Sequence, residues 1–306
     1  MTTLIDLMND IPTEEIHAVA VAAAADGEVL EAVSMAIERK LASFRLFDDE
    51  EKLRKLIADD FPHLIDHPHL SIHHTDGPQQ AAREAVTSVS IGEADVLMKG
   101  MISTAVLLKA VLNPDIGLRT GNVLSHVAAF EIEGFDRLIF VTDAGMNMTP
   151  VLYEKAQIIQ NAVHIARSVG VETPVVAPLA AVEVVNPNMQ ATLDAAALAT
   201  MNRRGQIKNC IIDGPLALDN AVSAEAAAHK GIKGETAGKA DILVVPNIEA
   251  GNILYKSLVY FARAKVGGVI AGAKAPIVLT SRADSAESKL FSLALAIRSS
   301  TYQKEK

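Results

Sequence analysis

The sequence predicts an α/β fold, doubly wound around a mostly parallel sheet. Short apolar runs of strand length recur along the chain, and nearly every one leads into a helical pattern of about ten residues or more. Strand-then-helix repetition implies right-handed crossovers and a sheet covered on both faces. The runs are continuously apolar rather than alternating, as strands buried on both sides are. With 306 residues, and roughly 100–200 per domain, two domains are expected.

In chain order the expected strands are Val19–Ala23, Phe44–Phe47, Leu70–His73, Asp95–Met98, Leu138–Thr142, Pro174–Ala177, Cys210–Asp213, Ile242–Val245 and Ile277–Leu279. Helical patterns cover Val29–Leu41, Gln79–Val89, Thr104–Leu112 and Pro150–Val169. Pro114, Gly117 and Gly121 interrupt the pattern over Asn113–Ser125, which marks a seam between two strand–helix arrays.

Composition narrows the function. Half of the chain (50%) is hydrophobic, enough for a sizeable core, which excludes a disordered chain. The 28 Lys and Arg against 37 Asp and Glu give a net charge of −9. That balance argues against nucleic acid, whose phosphates need a clustered basic face. Cys210 is the sole cysteine, so neither an intrachain disulfide nor a C-x-x-C motif is possible. The first residues lack the charged and apolar regions of a signal peptide, and no apolar run reaches the roughly 20 residues of a membrane helix. A cytoplasmic protein without membrane association is expected.

In doubly wound sheets, ligands bind at the carboxyl ends of strands, beside helix N-termini. Three stretches occupy such places. Lys99-Gly-Met-Ile-Ser-Thr104 follows a strand, and its hydroxyls and lysine suit an anion, with Lys109 about one and a half turns further on. The same residues also fit an ordinary cap and solvated lysines. In Pro246-Asn-Ile-Glu-Ala-Gly-Asn-Ile-Leu-Tyr-Lys256, Asn252, Tyr255 and Lys256 share one helix face at i, i+3 and i+4, leaving Leu254, Leu258 and Phe261 for the core. A solvated face with a snorkelling lysine is the plainer reading. In Leu279-Thr-Ser-Arg-Ala-Asp-Ser-Ala-Glu-Ser-Lys289, Arg282 offers a planar cationic fork for phosphate or an oxyanion. Asp284 and Glu287 there also have capping-box spacing.

Other motifs fail. Gly267-Gly-Val-Ile-Ala-Gly-Ala-Lys274 nearly spells a phosphate-binding loop, but Ala273 stands where the lysine belongs and the run precedes a strand rather than following one. No G-x-G-x-x-G occurs. His63, His67, His69, His73 and His74 are irregularly spaced across a loop and a strand, so no metal site is expected. Cys210 lies in an apolar strand and reads as an inert thiol.

The 99–112 segment, Asp213-Gly-Pro-Leu-Ala-Leu-Asp-Asn-Ala-Val222, the P-N-I-E-A-G-N-I-L-Y-K run and L-T-S-R-A-D-S-A-E-S-K together resemble the phosphate acetyltransferase/phosphate butyryltransferase family. The S-R-A-D-S-A-E-S-K form is similar to the butyryl branch. The resemblance implies reversible transfer of a short acyl group between CoA and inorganic phosphate, both substrates, with no tightly bound cofactor and no metal. It implies a homo-oligomer and two doubly wound domains flanking an active-site cleft, residues 1–124 with 273–306 forming one and 125–272 the other.

It also implies catalytic roles for Ser281 and Arg282. Lys109 stands where acetyl members have an arginine, which keeps the charge but loses the bidentate fork. The catalytic aspartate of acetyl members falls near Ser288, so either Glu287 substitutes as the base or this branch works without a carboxylate base. Ser103, Thr104, Asn252, Tyr255, Lys256 and Ser288 are the candidate substrate-binding residues. The rival readings are an acetyl-specific enzyme and a non-enzymatic CoA- or phosphate-binding protein on the same scaffold.

Overall fold

A computed structural model describes residues 3–11, 16–233, 236–279 and 284–304. The chain divides into two compact units, residues 7–122 with 267–306 and residues 1–6 with 123–266. Elements are numbered along the chain. The first short helix, α1, spans Leu4–Asn9.

In the unit of residues 7–122 and 267–306, the parallel strands are β1 (His17–Ala22), β2 (Ala42–Asp48), β3 (Leu70–His74), β4 (Val96–Lys99) and β11 (Ile277–Val278), ordered 3-2-1-4-11. Residues of β10 (Lys265–Ala271) run antiparallel to β11, with Ile270 opposite Ile277. The helices are α2 (Gly27–Glu38), α3 (Glu50–Asp60), α4 (Pro78–Ser90), α5 (Thr104–Val111) and α11 (Ala286–Lys304). Short polar side chains start α2, α3 and α5: Asp26 accepts from the Val29 N–H, Asp49 from Lys52 and Ser103 from Val106, whereas α4 starts at Gly77 without a side-chain cap. Val19, Phe44, Leu46, Leu97 and Leu293 are fully buried in its core. Because α4 packs on α5 while α2 packs on α11, the helices following β1 and β4 cover opposite faces of the sheet.

In the other unit, β5 (Ser125–Glu131) pairs antiparallel with β6 (Ile139–Thr142). Strand β6 then pairs in parallel with β9 (Ile242–Val244), β9 with β7 (Val175–Pro178), and β7 with β8 (Ile211–Ile212). Its helices are α6 (Leu152–Ser168), α7 (Gln190–Arg203), α8 (Leu218–Val222), α9 (Ala224–His229) and α10 (Ile248–Tyr260). Phe130, Ile139, Val141 and Leu243 form a core against which Leu254 and Leu258 of α10 pack.

The α/β class and mostly parallel pairing match the sequence expectation, and all nine expected strands are present within a residue or two. Strands β5 and β10 were not anticipated. Both enter antiparallel pairs, so no crossover helix follows in the rhythm that revealed the others. Residues 267–271 of the near phosphate-binding loop are themselves strand, which corrects the expectation that the run merely precedes one. Gly267 is required there by packing: a Cβ would lie 2.8 Å from the Phe291 carbonyl carbon of α11.

Candidate functional site

In the unit of residues 7–122 and 267–306, β1 and β4 are neighbours whose helices leave on opposite faces. Their carboxyl ends therefore form a topological switch point, the place where doubly wound sheets bind ligands. The turn after β4 is locked onto the turn after β1. The Gly100 N–H donates to the Ala22 carbonyl at 2.8 Å and the Met101 N–H to Ala23 at 2.7 Å. A Cβ on Gly100 would lie 2.0 Å from the Ala23 carbonyl oxygen, so only glycine permits this approach.

Ser103 and Thr104 follow at once, exposed at the start of α5. Ser103 Oγ accepts from the Val106 N–H at 3.3 Å, which is the ordinary capping role. Its exposure leaves it open to solvent and ligands as well. Lys109 is exposed in the last turn of α5, about 7.5 Å along the axis from Thr104.

Strand β11 lies directly beside β4 and parallel to it, with Val278 opposite Met98, so β11 ends on the same side of the sheet as β4, which leads to Ser103 and Thr104. Ser281 and Arg282 lie outside the described residues. Glu287 is exposed and Ser288 half-buried in the first turn of α11. The cap of that helix is Ser285, whose Oγ accepts from the Ser288 N–H at 3.1 Å. The capping-box reading of Asp284 and Glu287 is thereby corrected: with Ser285 as the cap, the position three residues on is Ser288, and Glu287 takes no capping role. Sequence reasoning also passed over Lys289, which is 2% exposed and donates to Glu28 Oε2 at 2.7 Å. A lysine one step from a run of buried apolar residues was the available signal.

In the unit of residues 123–266, α10 carries Asn252, Tyr255 and Lys256, with Asn247 capping it through the Ala250 N–H at 3.0 Å. Asn252 and Lys256 are exposed. Tyr255 is half-buried, edge-on to Phe130 at 5.3 Å between ring centroids. It therefore shares the packed side of the helix with Leu254 and Leu258, while Lys256 Nζ stands 5.9 Å from its ring centre. Phe261, expected in the core, is instead 87% exposed, because α10 ends there and the chain turns away. Gly251 has the same function as Gly100: a Cβ would lie 2.6 Å from the Asp143 carbonyl oxygen.

Among the described residues, no cluster of three or more His, Cys, Asp or Glu side chains could hold a metal ion. The five histidines divide among separate contacts: His63 bonds Ser34 Oγ at 2.7 Å, His67 and His69 lie with ring centroids 5.6 Å apart, His73 stacks on Phe47, and His74 meets Asp76. Cys210 is buried just before β8, and burial pushes its thiol up to about 11.

Residues 73–297 match the family model described as phosphate acetyl/butaryl transferase. The chain belongs to that family. A relative from Bacillus subtilis (strain 168) named probable phosphate butyryltransferase is 58% identical over 292 residues, 95% of this chain and 96% of that one. The phosphate acetyltransferase of Thermotoga maritima is 49% identical over 282 residues, 90% of this chain and 93% of its own. Among solved structures, a branched-chain phosphotransacylase from Enterococcus faecalis V583 superposes with a TM-score of 0.83 at 38% identity, covering 93% of this chain and 99% of that one. Both family motifs, the run of α10 and the run into α11, lie within the matched residues.

Proposed function

We propose that the chain transfers a short acyl group, butyryl foremost, reversibly between CoA and inorganic phosphate. The observation that carries this is near full-length identity, 58% to a protein named probable phosphate butyryltransferase and 50% to one named phosphate butyryltransferase, within a family that uses these two substrates.

A phosphate oxygen attacks the thioester carbonyl carbon, the new C–O bond forms, and the carbonyl oxygen becomes an oxyanion. The oxyanion then collapses with cleavage of the C–S bond, and CoA leaves as its thiolate. Phosphate attacks already ionised, and a thiol of pKa about 8.5 loses its proton near neutrality for about 2 kcal/mol, so neither direction depends heavily on a base. Stabilising the oxyanion is worth about 3–4 kcal/mol per donor, which makes cations and N–H groups the larger contributors.

In this reading Arg282 and Ser281 bind phosphate and steady the oxyanion. Lys109 and Lys256 are secondary cations. Ser103, Thr104, Asn252, Tyr255 and Ser288 position substrate oxygens, and Glu287, exposed to solvent, is the candidate base. Association into a homo-oligomer belongs to the same reading. CoA-linked chemistry supports a cytoplasmic setting. Separately, no helix among the described residues is long and apolar enough to cross a membrane. The similarity to the Thermotoga acetyltransferase favours one second reading, an acetyl-preferring enzyme.

Arg282→Ala tests the assignment. A drop of about 100-fold or more in turnover, partly restored in Arg282→Lys, is expected; near-normal turnover in Arg282→Ala would contradict it.

A further inference from the structure

The unit of residues 123–266 has a topological switch point of its own. Helices α6 and α7 pack together, while α10 joins Leu216 and Ala221 on the core cluster around Leu243. Neighbouring strands β7 and β9 are thus followed by helices on opposite faces. A cavity of about 960 Å³ lies outside their carboxyl ends, walled by Leu179 after β7, Val245 after β9, Met189 and Leu254. That volume is at the upper end of the roughly 300–1,000 Å³ of small-molecule sites. The residues assigned to acyl transfer do not line it. Asn252 and Lys256 each lie about 200° around α10 from Leu254, and so face away from it.

Three features give the apolar cavity a polar end. Lys155 and Asp194 both line it as a buried ion pair at 2.6 Å, with Lys155 only 6% exposed. Gln190 Nε2 donates to the second carboxylate oxygen of Asp194 at 2.8 Å, so the carboxylate is held from two sides. The ammonium has three N–H bonds and one hydrogen-bond partner among the described residues, which leaves two buried donors for a ligand. Finally, α7 begins at the cavity wall with no side-chain cap on its first turn.

Donors are therefore in surplus, while the net charge is zero because Asp194 cancels Lys155. Such an end suits a neutral or weakly charged oxygen acceptor better than a multiply charged phosphate. The rest of the wall suits hydrocarbon.

We propose that this cavity binds an aliphatic chain headed by a carbonyl oxygen, with the carbonyl on Lys155 and the α7 N-terminus and the chain along Leu179, Val245 and Leu254. Two sources carry that chemistry, the acyl arm of a thioester and a free carboxylic acid. Neither is the carbonyl that reacts on Arg282 and Ser281, so the inference stands apart from the acyl-transfer reading.

Calorimetric titration of the whole protein without phosphate tests this, with S-butyryl- and S-hexanoyl-N-acetylcysteamine as thioester probes and hexanoate as the acid. Burying two further methylenes, at roughly fourfold each, predicts about 15-fold tighter binding of the hexanoyl probe than of the butyryl one. Ala191→Phe and Ala181→Phe, which fill the cavity from different walls, each weaken binding about tenfold or more. Lys155→Met/Asp194→Leu, which exchanges the pair for apolar side chains of similar size, weakens both thioesters about equally and preserves their ratio. Binding of hexanoate alone assigns the site to the free acid, and binding of the thioesters assigns it to the acyl arm.

Affinity indifferent to chain length, or unchanged in both cavity-filling variants, overturns the proposal. So does an absence of binding, including the case in which Ala191→Phe instead dissociates an oligomer and reveals a second copy as the occupant. Thiol release from butyryl-CoA and phosphate, measured on the same wild-type sample, reports separately on acyl transfer. Turnover without probe binding removes this inference alone, and probe binding without turnover removes acyl transfer alone.

Discussion

Lys289 Nζ lies 2.7 Å from Glu28 Oε2, and the contact joins the first turn of α11 to the first turn of α2. The two partners are unequal, since Lys289 is 2% exposed and Glu28 58%. The Lys289 hydrogen bond and charge hold the Glu28 carboxyl below its usual range. Helix α11 follows immediately on the segment that carries Ser281 and Arg282, so the pair anchors one flank of that segment.

Glu28→Gln leaves a buried ammonium facing a neutral amide, whereas Lys289→Met leaves only a solvated carboxylate. The first is expected to lower the thermal unfolding midpoint more than the second. Because the folded pKa of Glu28 is depressed, its contribution is present above the usual carboxylate range and is lost as pH falls through the folded value. Unfolding midpoints between pH 7 and pH 3 should show this dependence in the wild type and less of it in Lys289→Met.

Asp95 holds the amino end of the same sheet. Burial opposes its ionisation, but hydrogen bonds from His17, Lys304 and the Ala18 N–H outweigh burial and keep the carboxyl well below its ordinary 3.8. Lys304 Nζ sits 2.6 Å away, near the end of α11. Asp95→Asn is expected to cost about 1–2 kcal/mol in urea unfolding near neutrality, after discounting for solvent screening. A depressed pKa gives stability that is present above 3.8 and lost as pH falls through the folded value, so variant and wild type should converge in acid.

Gly100→Ala places a methyl group 2.0 Å from a backbone carbonyl that cannot yield without moving β1. A loss of about 3 kcal/mol or more in urea unfolding is expected. Gly27→Ala is the control, since a Cβ there meets nothing within 4 Å.

Cys210, with its thiol pushed up to about 11, is almost wholly protonated at pH 8. Alkylation of the native protein by iodoacetamide should run about 200-fold slower than in denaturant, relative to an ordinary thiol of pKa about 8.5. Cys210→Ala should leave turnover unchanged, since the proposed transfer passes through no enzyme thioester.

Much of the fold was legible because parallel strands with crossover helices leave a repeating signature. Strands β5 and β10 escaped it because antiparallel neighbours need no helix between them, and Gly267 and Gly268 hid β10 further. At the site, the cap role of Ser103 and the helix carrying Asn252 and Lys256 were readable from spacing. Tyr255 and Phe261 were not, because spacing fixes which residues share a helix face but not where the helix ends or which neighbour covers it. Lys289 was invisible for a related reason: only tertiary packing decides that a lysine is buried, and its partner lies 261 residues away in the sequence.

The central claim is acyl transfer between CoA and phosphate. Its most direct test follows free thiol after mixing the protein with butyryl-CoA and phosphate, beside acetyl-CoA and phosphate-free controls. Thiol release that requires phosphate and runs faster with butyryl-CoA is predicted. Faster release with acetyl-CoA would keep the reaction and contradict the chain length, and a folded sample that releases no thiol in response to phosphate with either thioester would contradict acyl transfer itself.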